Sequence, residues 1–218
     1  MRKIRDLTHQ IYDGMPTFNA PWHPKVTVRQ IGRIPREGRE TRAVSLGTHS
    51  GTHIDAPLHF LAKGRAIDQA PLGSLLGKVA IADLSKLGPN SVVTRKMLEK
   101  VRLGERTIFK FAWSRHWGTK RFYTSYPCFS IEAAEFIASR GVKVVGMDTP
   151  SPDKNPSQLA AEDEDSPVHK LWLRKGITII ECLANLEGLH DYKGWTLVAL
   201  PLKIAGADAA PARVLICK

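Results

Sequence analysis

Three of the eight histidines fall within eleven residues, in Thr48-His49-Ser50-Gly51-Thr52-His53-Ile54-Asp55-Ala56-Pro57-Leu58-His59-Phe60. Even scatter would place about 0.4 there. The spacing is His-x3-His-x-Asp-x3-His. Neutral imidazoles and a carboxylate are donors that divalent zinc or manganese accepts, and the second carboxylate oxygen can bridge to another ion. On a helix His49 and His53 would share a face, but Gly47, Thr48, Gly51, Thr52 and Pro57 all oppose one. The pattern predicts an irregular turn running into a short extended segment. There His53 and Asp55, two residues apart, point to one side. Gly51 lets the backbone bend so that His49 approaches the same point. A hydrogen-bonded turn is the competing reading; the coincidence of the His cluster with an Asp favours a metal.

A second ion needs further donors. Glu181 lies in the apolar run Thr178-Ile179-Ile180-Glu181-Cys182-Leu183. A carboxylate there is costly to bury unless it is paired or metal-bound, although strand alternation also allows it to face outward. His169 follows Ser166-Pro167-Val168; taken alone it reads as a surface residue in the first turn of a helix. Asp148 ends an apolar run, where α/β sites collect polar groups, or it is a turn residue before Thr149-Pro150. No GxSxG elbow, phosphate loop or GxGxxG is present. Cys128, Cys182 and Cys217 form no CxxC, and Cys128 and Cys182 lack a local activating partner, so they read as inert thiols of a reduced, cytoplasmic protein.

The elements that must position these groups are mostly short strands, read at residues 26–31, 42–46, 79–84, 107–111, 142–147, 177–182 and 196–201. Three helices are expected, at 94–102, at 130–140 from a Ser cap to Gly141, and from Ser166 at N-cap with Pro167 at N1 to Gly176. The first half is strand and loop rather than regular βαβ. The expected class is therefore α/β with a mixed, barrel-like sheet and flanking helices, in a single domain over residues 1–218.

The net charge of +11 raises nucleic acid as a partner, but the basic residues are dispersed. The densest stretch, Arg29, Arg33, Arg36, Arg39 and Arg42, is interrupted by Glu37 and Glu40, and no DNA- or RNA-binding motif accompanies it. No nucleic-acid partner is expected. No apolar run reaches the roughly 20 residues that span a bilayer, and the charged start Met1-Arg2-Lys3-Ile4-Arg5-Asp6 has no apolar segment behind it. No membrane association or signal peptide is expected. The acidic run 162–165 reads as a solvated loop or as a flank of the site entrance.

With His-x-Gly-Thr-His-x-Asp-x-Pro-x-His complete from His49 to His59, the sequence resembles the bacterial kynurenine formamidase and cyclase family of metal-dependent hydrolases. Asp6-Leu7-Thr8-His9 and Gly14-Met15-Pro16 resemble its first strand and loop. Gly146-Met147-Asp148-Thr149-Pro150-Ser151-Pro152-Asp153 resembles its central segment. Pro167-Val168-His169 and Ile180-Glu181-Cys182-Leu183 resemble its distal ligand segments, and Pro201-Leu202-Lys203-Ile204 and Ala207-Asp208-Ala209-Ala210-Pro211-Ala212-Arg213 its closing strands.

The resemblance implies a swivelling β/β/α fold and two divalent ions, zinc or manganese. It makes His49, His53 and Asp55 ligands, with Asp55 bridging, and turns His169 from a surface residue into a ligand of the second ion together with Glu181. His59 becomes the catalytic acid/base. It also implies a homodimer or homotetramer and a small-molecule amide substrate. The closing Ala-Asp-Ala-Ala-Pro and Pro152 depart from the common family pattern, and Trp113-Ser114-Arg115-His116-Trp117-Gly118 looks more like the broader cyclase and isatin-hydrolase-like members.

The expected activity is hydrolysis of a C–N bond in an aryl or cyclic amide. The alternatives are a cyclase or lactonase on the same metal site and a non-catalytic metal-binding protein. Phe18, Trp22, His23, Trp113 and Trp117 are candidates for an aromatic pocket, with Arg115 or His116 reading a substrate carboxylate; ordinary packing is the competing reading for each. Trp22, Trp113 and His116 are the expected substrate contacts.

Overall fold

The computed structural model describes residues 3–190 and 194–218. Thirteen strands run in chain order: β1 (Ile4–Asp6), β2 (Thr27–Gly32), β3 (Thr41–Ser45), β4 (His53–Asp55), β5 (Leu76–Lys78), β6 (Ala80–Asp83), β7 (Val92–Val93), β8 (Arg106–Lys110), β9 (Cys128–Phe129), β10 (Val144–Met147), β11 (Thr178–Glu181), β12 (Thr196–Pro201) and β13 (Ala209–Cys217). The helices are α1 (Ile34–Glu37), α2 (Leu72–Leu75), α3 (Arg95–Leu98), α4 (Lys120–Thr124), α5 (Ile131–Ser139) and α6 (Pro167–Arg174).

Nine strands form one mixed sheet in the order β5-β12-β13-β4-β11-β10-β8-β6, with β1 added on β13. The half from β6 to β11 is parallel; β4, β12, β13 and β5 pair antiparallel. The two ends of this order, β5 and β6, are separated on the chain by Val79 alone, whose N–H donates to the Trp195 carbonyl. The sheet therefore wraps round into a nearly closed barrel, as the mixed pattern of elements predicted.

Alternation along the strands divides two cores. Ile54, Ile81, Ile108, Val144, Ile180 and Val214 belong to one cluster, which fills the barrel. Their neighbours Ala82, Phe109, Val145 and Ile179 belong to a second. That second cluster takes in Ala133, Ala134 and Ile137 of α5 and Val168, Trp172 and Leu173 of α6. The parallel strands are thus buried on both faces, which explains their unbroken apolar runs.

Two helix expectations change. The segment expected at 94–102 is helical only over Arg95–Leu98; the Val101 N–H then returns to the Leu98 carbonyl, and the chain turns toward β8. Ser166 is not a side-chain cap: it sits at φ 52° with no cap hydrogen bond. Ser130 does cap α5, accepting from the Ala133 N–H. Among the described residues no helix is long and apolar enough to cross a membrane.

Candidate metal centre

The site is built on β4, between β11 and β13. Ile54 points into the barrel, so His53 and Asp55 point out of it, toward α6. Register places Glu181 opposite His53 and Ile179 opposite Asp55. Glu181 therefore shares their face, and His169 descends onto it from the first turn of α6. The apolar run around Glu181 hides a carboxylate that faces other charged groups. Gly51, at φ 67°, makes the bend that brings His49 alongside.

His53, Asp55, Glu181 and His169 are all buried. His53 Nε2 lies 3.4 Å from Asp55 Oδ1 and 3.3 Å from Glu181 Oε2. His169 Nε2 lies 3.1 Å from Glu181 Oε1 and 3.5 Å from Asp55 Oδ2. His49 Nδ1 lies 3.0 Å from Asp55 Oδ1. Despite this crowding, His53 Nε2 and both Asp55 oxygens make no hydrogen bond. Such atoms are costly to bury unless something else satisfies them. His53 Nδ1 donates to the Gly51 carbonyl at 2.8 Å, so in the neutral ring the free lone pair is on Nε2. Unprotonated nitrogen facing several carboxylate oxygens is the donor set of a divalent cation. Within ligand reach of one another stand His53, Asp55 and Glu181 in one group and His49, Asp55 and His59 in another. Asp55 belongs to both, as a bridging ligand requires.

The electrostatics agree. Burial would raise the Asp55 carboxyl, but His49, His169 and His53 hold it well below the usual range. Burial would depress His53 and His169; contacts with Asp55 and Glu181, and Asp153 beside His169, hold both well above 6.5. A raised imidazole stabilises the fold below its unfolded value near 6.5, and that stability is lost as pH rises through the folded value. Bound ions need these imidazoles deprotonated. Chelator-treated protein should therefore lose melting temperature from pH 6 to 8.5 while metal-loaded protein does not, so that the gap between their melting curves widens with pH.

Two carboxylates outside the expected ligand set organise the cluster. Asp208, just before β13, accepts from Thr48 Oγ1 at 2.9 Å, from His49 Nε2 at 2.9 Å and from His59 Nδ1 at 3.2 Å. These bonds, from His49 first and then His59, hold its carboxyl far below the normal range. Asp153 caps α6 from a distance, accepting from the Val168 and His169 N–H groups. Both lie in segments that carry the family resemblance, but neither has a local partner that would give it a role from sequence. Asp148 serves the backbone instead: it accepts from the N–H groups of Phe111, Trp113 and Ser114, and burial, outweighing those bonds, lifts it to about 6. Burial also pushes the Cys128 and Cys182 thiols up to about 11, consistent with inert cysteines.

A cavity of about 430 Å³ opens onto the cluster, walled by Phe18, Trp22, Phe60, Tyr123 and Tyr126 and lined by His49, His59 and His169. Lys154 and Asp165 also line it, so the acidic run reaches the site. Trp22 is 78% exposed there. Where the aromatic-loop reading places Trp113 in a pocket wall, the structure places it in the core: it is 0% exposed, and its indole donates to the Phe122 carbonyl. His116 packs on Trp113 and does not line this cavity.

His59 rides on a 3-10 turn, Pro57–His59, and Gly64 packs against that turn's backbone. A Cβ at Gly64 would collide with the backbone of Pro57 and of Leu58, whose N it would meet at 2.5 Å. Backbone cannot yield as a side-chain tip does, so Gly64→Ala should cost about 1–3 kcal/mol. It should also lower turnover by displacing His59. Denaturant melts and steady-state rates on one preparation check both.

The family described as "Putative cyclase" matches residues 5–154. A kynurenine formamidase of Bacillus cytotoxicus is 31% identical over 175 residues, covering 79% of this chain and 78% of that protein. A solved structure described as a predicted metal-dependent hydrolase from Bacillus stearothermophilus aligns with TM-score 0.79 at 29% identity, over 100% of this chain and 98% of that one. Isatin hydrolase A from Labrenzia aggregata aligns with TM-score 0.86 at 25% identity, over 99% and 93%. With its motif complete and its donors gathered on one face of the barrel, the chain belongs to the cyclase family of hydrolases.

Proposed function

We propose that this protein is a metal-dependent amidohydrolase that cleaves a non-peptide C–N bond of a small aryl or cyclic amide, in the manner of kynurenine formamidase or isatin hydrolase. The observation that carries the reading is the buried set His53, Asp55, Glu181 and His169, with unsatisfied polar atoms, at the floor of an aromatic cavity. Two divalent ions, zinc or manganese, would be held by His49, His53, Asp55, His169 and Glu181, with Asp55 shared. When bound, such ions supply an activated water near neutral pH and Lewis acidity toward a carbonyl oxygen.

The chain's own residues do the rest. Phe18, Trp22, Phe60 and Tyr123 offer flat apolar surface to an aryl ring. Asp208 accepts a hydrogen bond from His59 Nδ1–H, leaving Nε2 free to take a proton from the attacking water and pass it to the departing nitrogen. The His23 imidazole at the cavity wall is pushed down to about 4 by burial and by neighbouring histidines, and so stays neutral. Turnover of N-formylkynurenine and isatin by metal-loaded protein, abolished by chelation and restored by zinc or manganese, is the test. Inactivity on both with full metal loading would remove the reading.

We also infer a cytoplasmic homodimer or homotetramer. Among the described residues the β2–β3 ribbon pairs only with itself and exposes Ile31 and Val44, with Ile34 beside it, whereas an isolated two-stranded ribbon is marginal in water. Light scattering on the purified protein should give at least twice the 24.2 kDa chain mass; a monomer would contradict it.

A further inference from the structure

We propose that Asp153 is a positioning residue for the second ion site, fixing His169 in the one tautomer and orientation that can bind a metal. The inference rests on the two-ion reading above. Asp153 is 4% exposed and lies on the loop that follows β10, sixteen residues before His169. Its Oδ2 sits 2.6 Å from His169 Nδ1 and also accepts the His169 backbone N–H at 3.0 Å. Its Oδ1 accepts the Val168 N–H at 2.7 Å. One carboxylate thus holds both the start of α6 and the imidazole that α6 carries.

An ionised carboxylate only accepts, so the ring nitrogen facing it must carry the hydrogen. A neutral His169 therefore has its proton on Nδ1 and a bare lone pair on Nε2. That lone pair faces Glu181 Oε1 at 3.1 Å and Asp55 Oδ2 at 3.5 Å. When the ring is protonated at both nitrogens, Nε2 instead donates to Glu181 Oε1, and a cation takes the place of that proton. A carboxylate behind a ligating imidazole orients the ring and raises its basicity.

The helix cap reinforces the same geometry. Ser166, the residue expected to cap α6, makes no cap hydrogen bond, so Asp153 takes over two of the free N–H groups of the first turn. Rotating that turn would break the Asp153 contacts and swing His169 away from Glu181 together.

Asp153→Asn separates capping from tautomer control. The amide has one acceptor oxygen for three donors, and its NH₂ must face either Val168 N–H or the His169 ring and backbone. Competition with a chromophoric chelator, using zinc alone as the probe, should give two tight ions in the wild type. In Asp153→Asn one ion should weaken by about 10–100-fold while the other changes by less than about threefold. Unchanged affinity for both ions with a lowered melting temperature would make Asp153 a helix cap only and overturn the proposal. Fewer than two ions in the wild type would show instead that the two-ion reading had failed, taking the proposal with it. Should Asp153→Asn not fold, long-range ¹H–¹⁵N spectra of the zinc-loaded wild type decide, with the His169 ring assigned by its loss in His169→Gln. A protonated Nδ1 with metal-shifted Nε2 is expected; zinc on Nδ1 would refute it.

Discussion

Asp55→Ala should strip both ions and lower turnover by well over about 100-fold, the upper loss expected from disturbing only a ligand's hydrogen-bond partner. Asp55 stands between all three expected histidine ligands: His49 and His53 approach one carboxylate oxygen and His169 the other. Neither oxygen has a hydrogen bond to fall back on. Removing the carboxylate leaves Glu181 as the one remaining carboxylate of the expected ligand set, and no side chain then connects the two ion positions. Asp55→Asn keeps the volume and should fail as completely, because an amide cannot supply the charge. Full metal content in either variant would show that the bridging role belongs elsewhere.

His59→Ala should behave in the opposite way, keeping its ions and losing about 10²–10⁴-fold in turnover, the usual contribution of a positioned general acid or base. His59 stands closer to solvent than the buried ligands, its side chain 25% exposed at the cavity and tethered through Asp208. It also lies within ligand reach of His49 and Asp55, so geometry alone would permit it to be a ligand. Metal content separates the roles: an ion lost with the activity would make His59 a ligand, and undiminished turnover would remove it from the mechanism.

The legibility of this protein in its sequence was uneven for physical reasons. The apolar runs that became β8, β10 and β11 are buried on both faces, so they read as unbroken strands. The His49–His59 cluster was legible because its donors are close in sequence and its glycines exclude a helix. The start of β13, Ala209-Ala210-Pro211-Ala212, carries little β-propensity of its own; it is held by ladders to β4 and the end of β12. Asp208 is brought to His49 and His59 by that long-range pairing. Asp153 meets His169 because the loop after β10 runs to the start of α6, sixteen residues along the chain. Trp113 looked like a loop aromatic near the site, yet Asp148 pulls its backbone inward and the indole packs in the core. Local spacing showed the donors; the groups that orient them are set by topology.

A two-ion centre between β4, β11 and α6 is what the donor geometry calls for. Its most direct test is metal per chain by elemental analysis, on protein purified without a His tag or chelator, alongside His169→Ala and Glu181→Ala. About two ions in the wild type, falling toward one in each variant, is the predicted result. No metal in the wild type after reloading with zinc or manganese, or an ion count that neither variant changes, would contradict it.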